Sequence, residues 1–426
     1  MFVKHCNGGG QGFKPARGHG FKASKATLAL LTSVCLTPAF VLAEEVGVTE
    51  KSIRIGATTQ LEGDYKYFGQ SQKQGMEAAL VGQLVQKRTI EFDQRNDFYD
   101  PAKAVEGAKA LLEKGIFAMV LSGGTATTKA VLPVLAENKV PAFGFYTGAG
   151  FTGPGDVLNF RASYAKEVEA AVDTGLSLGV KPSEICAYVQ NDAYGMSGLN
   201  GFRAALAKQS GTEAIVAKLD QILNLQGDHP ERNNLGPVAV YRRDTTNARD
   251  GYMSLKKWET DSGGHCRLVV TTALFDQAAT FMGYARYKNE PWVFSSVSAA
   301  SGDRLVALLK EKSVVDKVIA TQVVPPLDSP LPVVADARKA LGTNPNVISL
   351  ESYIVGKLFV TILQAIDGPL TRENFLKAAR RQPYDIGGVK VDFTTDNQGS
   401  DYVGLTLLKD GRFIPIAPQD LAALFK

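Results

Sequence analysis

Residues able to do chemistry are concentrated in a few short stretches. "SGGTATTK", Ser122 to Lys129, joins an apolar run to a helical one and offers hydroxyls and backbone amides to an anion. It lacks a glycine directly before Lys129, so it does not make a phosphate loop. "GAGFTG", Gly148 to Gly153, has the spacing of a dinucleotide fingerprint, but Pro154 and Gly155 stand where its helix has to begin, which leaves a pair of turns. No Gly-x-Ser-x-Gly elbow is present. Past residue 43 the chain keeps only Cys186, Cys266, His229 and His265. That is too few for a Cys/His zinc cage beside a placed catalytic histidine, and His265 merely precedes an apolar strand. No metal, no cofactor and no catalytic residue is therefore expected. Small hydroxyls, free amides and aromatics suit reversible binding of a small molecule better than covalent chemistry.

The elements that hold these loops come from a chain of 426 residues, 45% hydrophobic and 21% charged, enough for more than one core. The net charge of +4 is carried by the first 43 residues, which hold five basic side chains and no acidic one. From Glu44 onward 42 basic residues face 43 acidic ones, so charge gives no argument for nucleic acid or an anionic membrane. The basic stretch runs into "ATLALLTSVCLTPAFVLA", Ala26 to Ala43, with small residues before Glu44, the pattern of a cleaved secretory signal. Pro38 breaks it as a membrane anchor, and Val34 before Cys35 argues against a lipoprotein site. Residues 1–43 are thus expected to be a signal peptide, with a start codon that could lie downstream of Met1. The mature chain is expected in the periplasm, outside the membrane and monomeric, since no later segment reads as a span. An oxidising compartment permits a Cys186–Cys266 bridge, whereas adjacent strands are a poor geometry for one; the sequence leaves both open.

Along the mature chain short β-rich runs alternate with amphipathic ones. Strands at Ile53 to Gln60, Thr89 to Gln94, Ile116 to Ser122 and Pro141 to Tyr146 enclose helices at Gly69 to Gln86, Pro101 to Lys114 and Lys129 to Asn138. A second series follows. It runs from a helix at Ala165 to Leu178 through strand Glu184 to Gln190, helix Ser197 to Gln209 and a strand at Ala214 to Leu219. After a polar insertion at 221–234 come helix Ala248 to Trp258, strand Arg267 to Thr272, helix Gln277 to Tyr287 and strand Trp292 to Ser296. The pattern predicts an α/β protein of two doubly wound parallel-sheet lobes, with ligand loops at the carboxyl ends of the strands. The C-terminal helices near Val334 to Leu341, Glu351 to Ala365 and Arg372 to Ala379, with "VKVDF", are too short for a third lobe and are expected to be shared.

Four stretches, "IRIGATTQLEGDYKYFGQ", "NDFYDPAKAVEGAKALLEK", "VLSGGTATTKAVLPVLAENKVPAFGF" and "NDAYGMSGLNGFRAAL", carry a resemblance in order and spacing. With the C-terminal "IGGVKVDFTTDNQGSDYVGLTLLKDGRF", the chain resembles the leucine/isoleucine/valine-binding family of periplasmic solute-binding proteins that serve ABC importers. The insertion at 221–234 departs from that pattern. The resemblance implies the type I periplasmic-binding-protein fold, two lobes joined by a three-segment hinge that closes on a solute. It places lobe one at 46–160 plus 319–383 and lobe two at 161–318 plus 384–426. It implies an ABC permease with its ATPase as partner. A sensing role with a separate receptor, or an exported α/β enzyme, are the alternatives.

The resemblance also implies a site. Thr125 falls where relatives place a hydroxyl on the ligand carboxylate, and Tyr146 and Gly148 follow on the next strand-end loop. Phe68 is expected as an apolar wall and Tyr194 as the closing group from lobe two. Arg161, Ser163 and Tyr164 fall at the first hinge segment. Amino-acid-binding relatives pair the ligand ammonium with an acid after the strand corresponding to Trp292 to Ser296; the aligned position here is Val297. Asp276 is the nearby substitute. The expected solute is therefore not a standard branched-chain amino acid but a carboxylate, amide or aromatic acid without an α-ammonium.

Overall fold

The computed structural model describes residues 45–343 and 345–426; the expected signal peptide at 1–43 lies outside the described residues. Glu44–Lys426 forms one compact unit built on two sheets. In the first lobe the chain runs β1 (Ser52–Thr59), α1 (Lys66–Leu80), β2 (Thr89–Asn96), α2 (Pro101–Glu113), β3 (Ala118–Val120), α3 (Thr125–Glu137), β4 (Ala142–Phe143) and β5 (Val157–Leu158). These strands pair in parallel in the order β2-β1-β3-β4-β5. β1 is buried on both faces, as a parallel strand covered by helices must be, while β2 forms the half-exposed edge. Asp100 caps α2, accepting from Ala102 N at 2.7 Å and Lys103 N at 3.1 Å, with Pro101 in the first turn.

The second lobe continues with α4 (Tyr164–Ser177), β6 (Ile185–Gln190), α5 (Ala193–Ala207), α6 (Glu213–Asn224), β7 (Val238–Tyr241), α7 (Arg249–Ser262), β8 (Leu268–Thr272), α8 (Phe275–Tyr287), β9 (Val293–Ser296), α9 (Asp303–Glu311) and β10 (Val318–Gln322). The chain then returns to the first lobe through α10 (Pro332–Leu341), α11 (Val347–Gln364), α12 (Arg372–Arg381) and the hairpin β11 (Tyr384–Ile386) and β12 (Val389–Val391). It ends in the second lobe with β13 (Gly404–Lys409) and β14 (Arg412–Pro415), both antiparallel additions that give the order β14-β13-β10-β9-β8-β6-β7.

Four expectations need correction. The segment at Ala214 to Leu219 is helical: it lies inside α6, and its apolar residues Ile215, Leu219 and Ile222 recur at helical spacing, with Leu219 and Ile222 buried. The strand that occupies its place is β7, a four-residue run too short to stand out beside the insertion. β10 belongs to the second sheet, and Tyr384, Ile386, Val391 and Phe393 join the first lobe's core. Two crossovers therefore fall after Gln322 and Phe393, not after Val318 and Pro383. Finally, α11 is long and apolar enough to cross a membrane, with a mean hydropathy of 1.4, yet it is buried against α1 inside the first lobe.

The two lobes share one local device. A Cβ on Gly69 of α1 would lie 2.2 Å from the Gln60 carbonyl oxygen, and one on Gly195 of α5 would lie 1.8 Å from that of Gln190. Each glycine lets a helix start hard against the end of its lobe's leading strand. That brings the next side chains, Phe68 and Tyr194, over the cleft.

Cys186 in β6 and Cys266 are bridged, with their Cα atoms 5.8 Å apart. Cys266 sits in the turn leading into β8, off the ladder, so the bridge does not join paired strand positions. It closes a loop of 80 residues. Replacing both cysteines by alanine is expected to lower the urea-unfolding free energy by about 2–4 kcal/mol; a change under about 0.5 kcal/mol would mean the unfolded chain gains nothing from losing the bridge.

Candidate functional site

The carboxyl ends of both sheets converge on one aromatic cage of about 370 Å³ of atom-free space, counted out to its open side. The first lobe supplies Gln60 and Phe68 after β1, Tyr99 after β2, Thr125 after β3 and Tyr146 after β4. The second supplies Tyr164 and Tyr194 at the starts of α4 and α5, with Leu274 and Ala299 beyond β8 and β9. Every contributor sits where an open α/β sheet binds its ligand. The cleft side chains of the first lobe, Phe68, Tyr99 and Tyr146, pack into the apolar cluster of the second. Phe68 stacks on Phe275 with ring centroids 4.8 Å apart, and the Tyr65 hydroxyl donates to Asp244 Oδ1 at 3.3 Å. The cleft is shut.

No charged side chain lines the cage among the described residues. Burial pushes the Tyr99, Tyr146 and Tyr194 phenols well above their ordinary range, so each stays a neutral hydrogen-bonding group. Tyr194 OH donates to the Ala273 carbonyl at 3.3 Å, and Gln60 is held by its amide nitrogen on Asp97 Oδ1 at 3.0 Å and the Gly123 carbonyl at 3.1 Å. Tyr146 OH has no hydrogen-bond partner among the described residues. Thr125 Oγ1 lies 2.7 Å from Thr147 Oγ1 at the first turn of α3, whose cap, Gly124, has no side chain to bond the first amides. A hydroxyl, a phenol and uncapped helix amides therefore border the same cage. This is a setting for a carboxylate or another acceptor-rich group.

Beneath the cage runs the first crossover between the lobes. Arg161, fully buried on the first crossover, forms a 3.1 Å ion pair with Glu351 of α11 and donates to Tyr164 OH at 3.2 Å and to Ser298 Oγ. Its guanidinium stacks under the Tyr146 ring at 4.6 Å. On the second-lobe side Glu167 of α4 accepts from Ser298 N at 2.7 Å, Ser298 Oγ at 2.9 Å and Thr321 Oγ1. One cation thus stands between two buried carboxylates, one from each lobe. Burial raises the Glu167 carboxyl above its ordinary range against the opposing pull of Arg161 and its hydrogen-bond donors; Glu351 has Arg161 alone, and burial pushes it from its ordinary 4.5 up to about 7.

The cage unites Phe68, Thr125, Tyr146 and Tyr194, and takes in Tyr164 as a wall residue. Gly148 stands behind it, its carbonyl accepting from Tyr164 N at 2.7 Å, where a Cβ would lie 2.8 Å from that same nitrogen. Ser163 caps α4 by accepting from Lys166 N at 3.2 Å. Asp276 lies at the cleft mouth, 3.6 Å from Arg304, and does not line the cage. Val297 is buried, and no acid stands in its place. Sequence reasoning did not single out Gln60, Tyr99, Glu167 or Glu351. The first two stand at strand ends, where the topology rule points. Glu351 is the only acid in the 18 residues of α11, and that isolation was its signal.

Residues 52–222 match the family model described as periplasmic binding protein. A possible leucine/isoleucine/valine-binding protein from Rhodopirellula baltica SH 1 superposes with a TM-score of 0.75 at 27% identity, over 89% of this chain and 99% of that one. The fold is that of a type I periplasmic binding protein. The same type I fold is seen in a fatty acid ABC transporter substrate-binding protein from Thermomonospora curvata, with a TM-score of 0.70 at 20% identity over 89% of this chain and 96% of that one. It is seen again in an ABC transporter solute-binding protein from R. palustris in complex with 4-hydroxybenzoate, with a TM-score of 0.66 at 17% identity over 86% and 96%. No curated protein matches the sequence.

Because the folded state holds the Glu351 proton more tightly than the unfolded chain does, the stability this group confers is full below about pH 4 and is lost as pH rises through 7. Relative to Glu351→Gln, the parent protein is expected to lose up to about 3 kcal/mol of unfolding free energy between pH 4.5 and 8. Urea titrations of both proteins at several pH values check this. Parallel curves would show that Glu351 keeps its charge throughout.

Proposed function

We propose that the protein is an exported solute-binding protein that captures a small organic carboxylate or amide, aromatic in character, between its lobes and hands it to an ABC permease driven by its ATPase. The observation that carries this reading is the shut cage of neutral phenols with a hydroxyl and helix amides bordering it and no carboxylate on its walls. Flat rings pack well among Phe68, Tyr99, Tyr146 and Tyr194, and a carboxylate suits the Thr125 end. The R. palustris neighbour's 4-hydroxybenzoate supports an aromatic acid. Thr125, Tyr146, Tyr194 and Phe68 are the contact residues of this reading, with Tyr164 as the wall next to the hinge residues Arg161 and Ser163. Gly148 positions Tyr164, and Asp276 acts from the mouth.

Export through cleavage of residues 1–43 completes the proposal and delivers a monomeric chain to the periplasm. Solute binding favours closure only as far as the solute binds the closed form better than the open one, and the permease would read the closed shape.

An α-ammonium in this cage would be buried without a carboxylate, at a cost of several kcal/mol. Leucine, isoleucine and valine are therefore expected to bind at least ~30-fold more weakly than a matched acid lacking the ammonium. Native mass spectrometry of the protein purified from cells is expected to reveal one bound acid or amide per chain. A solute at about 100 times its Kd adds ~2.7 kcal/mol of stability, an easily measured melting shift. Submicromolar binding of any of the three amino acids by calorimetry would contradict this reading of the solute.

A further inference from the structure

The cage does not end at its rim. Tyr65 and Tyr99, packed edge to face with centroids 5.4 Å apart, line both the cage and a second, larger space at the cleft mouth, about 1330 Å³ of atom-free space counted out to solvent. Both lobes wall that space. The first brings the loop after β1 and the start of α2; the second brings the loop after β7 and the start of α8.

Most charges there are already engaged. Asp276 faces Arg304 at 3.6 Å, Asp244 accepts from Tyr65 OH at 3.3 Å and lies 3.5 Å from Arg243 Nε, and Asp100 caps α2. Lys103 Nζ stands 4.2 Å above the Phe98 ring. Glu62 and Asp64 on the loop after β1 are exposed to solvent, and two buried polar atoms are left without partners among the described residues. Arg243 Nη1 is buried without a hydrogen-bond acceptor, on a guanidinium 5.7 Å from the Tyr99 ring. Gln277 is only 4% exposed, and its Oε1 has no donor. A buried guanidinium nitrogen and a buried amide oxygen without partners each carry a desolvation cost that a ligand can remove. Arg243 and Gln277 wall the space that shares Tyr65 and Tyr99 with the cage, so a group extending from the cage past those two rings comes to the same walls.

We propose that the cleft mouth is a second subsite for the tail of the solute, in which Arg243 grips a tail carboxylate and Gln277 Oε1 accepts from an amide N–H. The proposal rests on the solute-capture reading and sharpens it. The solute class is an aromatic acid whose ring, held in the cage with its own carboxylate at Thr125, carries an amide-linked acidic tail. An ammonium tail would leave Arg243 Nη1 without an acceptor, and an apolar tail would leave both atoms unpartnered. A planar guanidinium is suited to holding a carboxylate in a fixed orientation.

Calorimetry with a matched pair tests this: 4-carbamoylbenzoate and its N-carboxymethyl derivative, N-(4-carboxybenzoyl)glycine. The tailed acid is expected to bind about tenfold or more tightly than the short one. In Arg243→Gln the ratio of the two affinities is expected to fall to about twofold or less, while Gln277→Leu is expected to weaken both acids alike, since both carry the amide N–H. Melting curves of both variants check that they fold. A tailed acid that binds no better than the short one, or a ratio untouched by Arg243→Gln, overturns the subsite. Failure of both acids to bind also overturns it. In that event a small molecule found on the cell-purified protein would still uphold solute capture, and its absence would count against both readings.

Discussion

The structure turns on one buried cation. Arg161 lies on the first crossover, fully desolvated, with a carboxylate from each lobe's helices nearby: Glu351 of α11 on one side and Glu167 of α4, through Ser298, on the other. A charge in that position is tolerable only while its partners stay placed, since removing one partner of a buried pair costs about 3–5 kcal/mol. The crossover is therefore locked to both lobes at the pivot. The last crossover reinforces it: Asn159 exchanges backbone hydrogen bonds with its Asn397 and Gly399 at 2.9 and 2.7 Å, and Gln398 donates to the Arg161 carbonyl.

From that pivot the cage follows. The guanidinium supports Tyr146 from below and orients Tyr164 by its hydroxyl, so two of the cage's phenols are set by the same group that joins the lobes. Farther out, contact between lobes is aromatic and light: Phe68 on Phe275, Tyr67 edge-on to the same ring at 6.0 Å, and Tyr65 on Asp244. A strong polar pivot with a weak aromatic rim is what a hinge-closing binder requires. Neutral phenols at the centre also leave the net electrostatics of the cage to the solute and to the helix amides of α3.

Much of this was legible in the residues because it rests on local rules. Alternating β-rich and helical runs identify two parallel α/β lobes, and the strand-end rule, together with the family resemblance, points to Phe68, Thr125, Tyr146 and Tyr194. What escaped was set by tertiary packing. The segment at 214–219 is apolar and β-branched enough to read as a strand, but its neighbours across the fold bury it at helical spacing. The boundary expected at 318/319 falls after β10 instead, because the strand's pairing with β9 and β13, invisible in the chain, decides which lobe owns it. Glu167 lies in the first turn of α4 and Glu351 in the second turn of α11, where a glutamate is ordinarily a solvated residue; only their approach to Arg161, from positions 184 residues apart, gives them a role.

The central claim is that the lobes close on a solute about the Arg161 pivot. Spin labels at Glu106→Cys on α2 and Asp250→Cys on α7, one exposed position on each lobe, report the opening directly by electron–electron distance measurement. With the small molecule recovered from cell-purified protein removed, the account predicts a broad distribution extending to long distances. Restoring that molecule should collapse it to one short, narrow peak. An unchanged distribution, with binding verified by calorimetry in the same sample, would contradict closure as the means of capture.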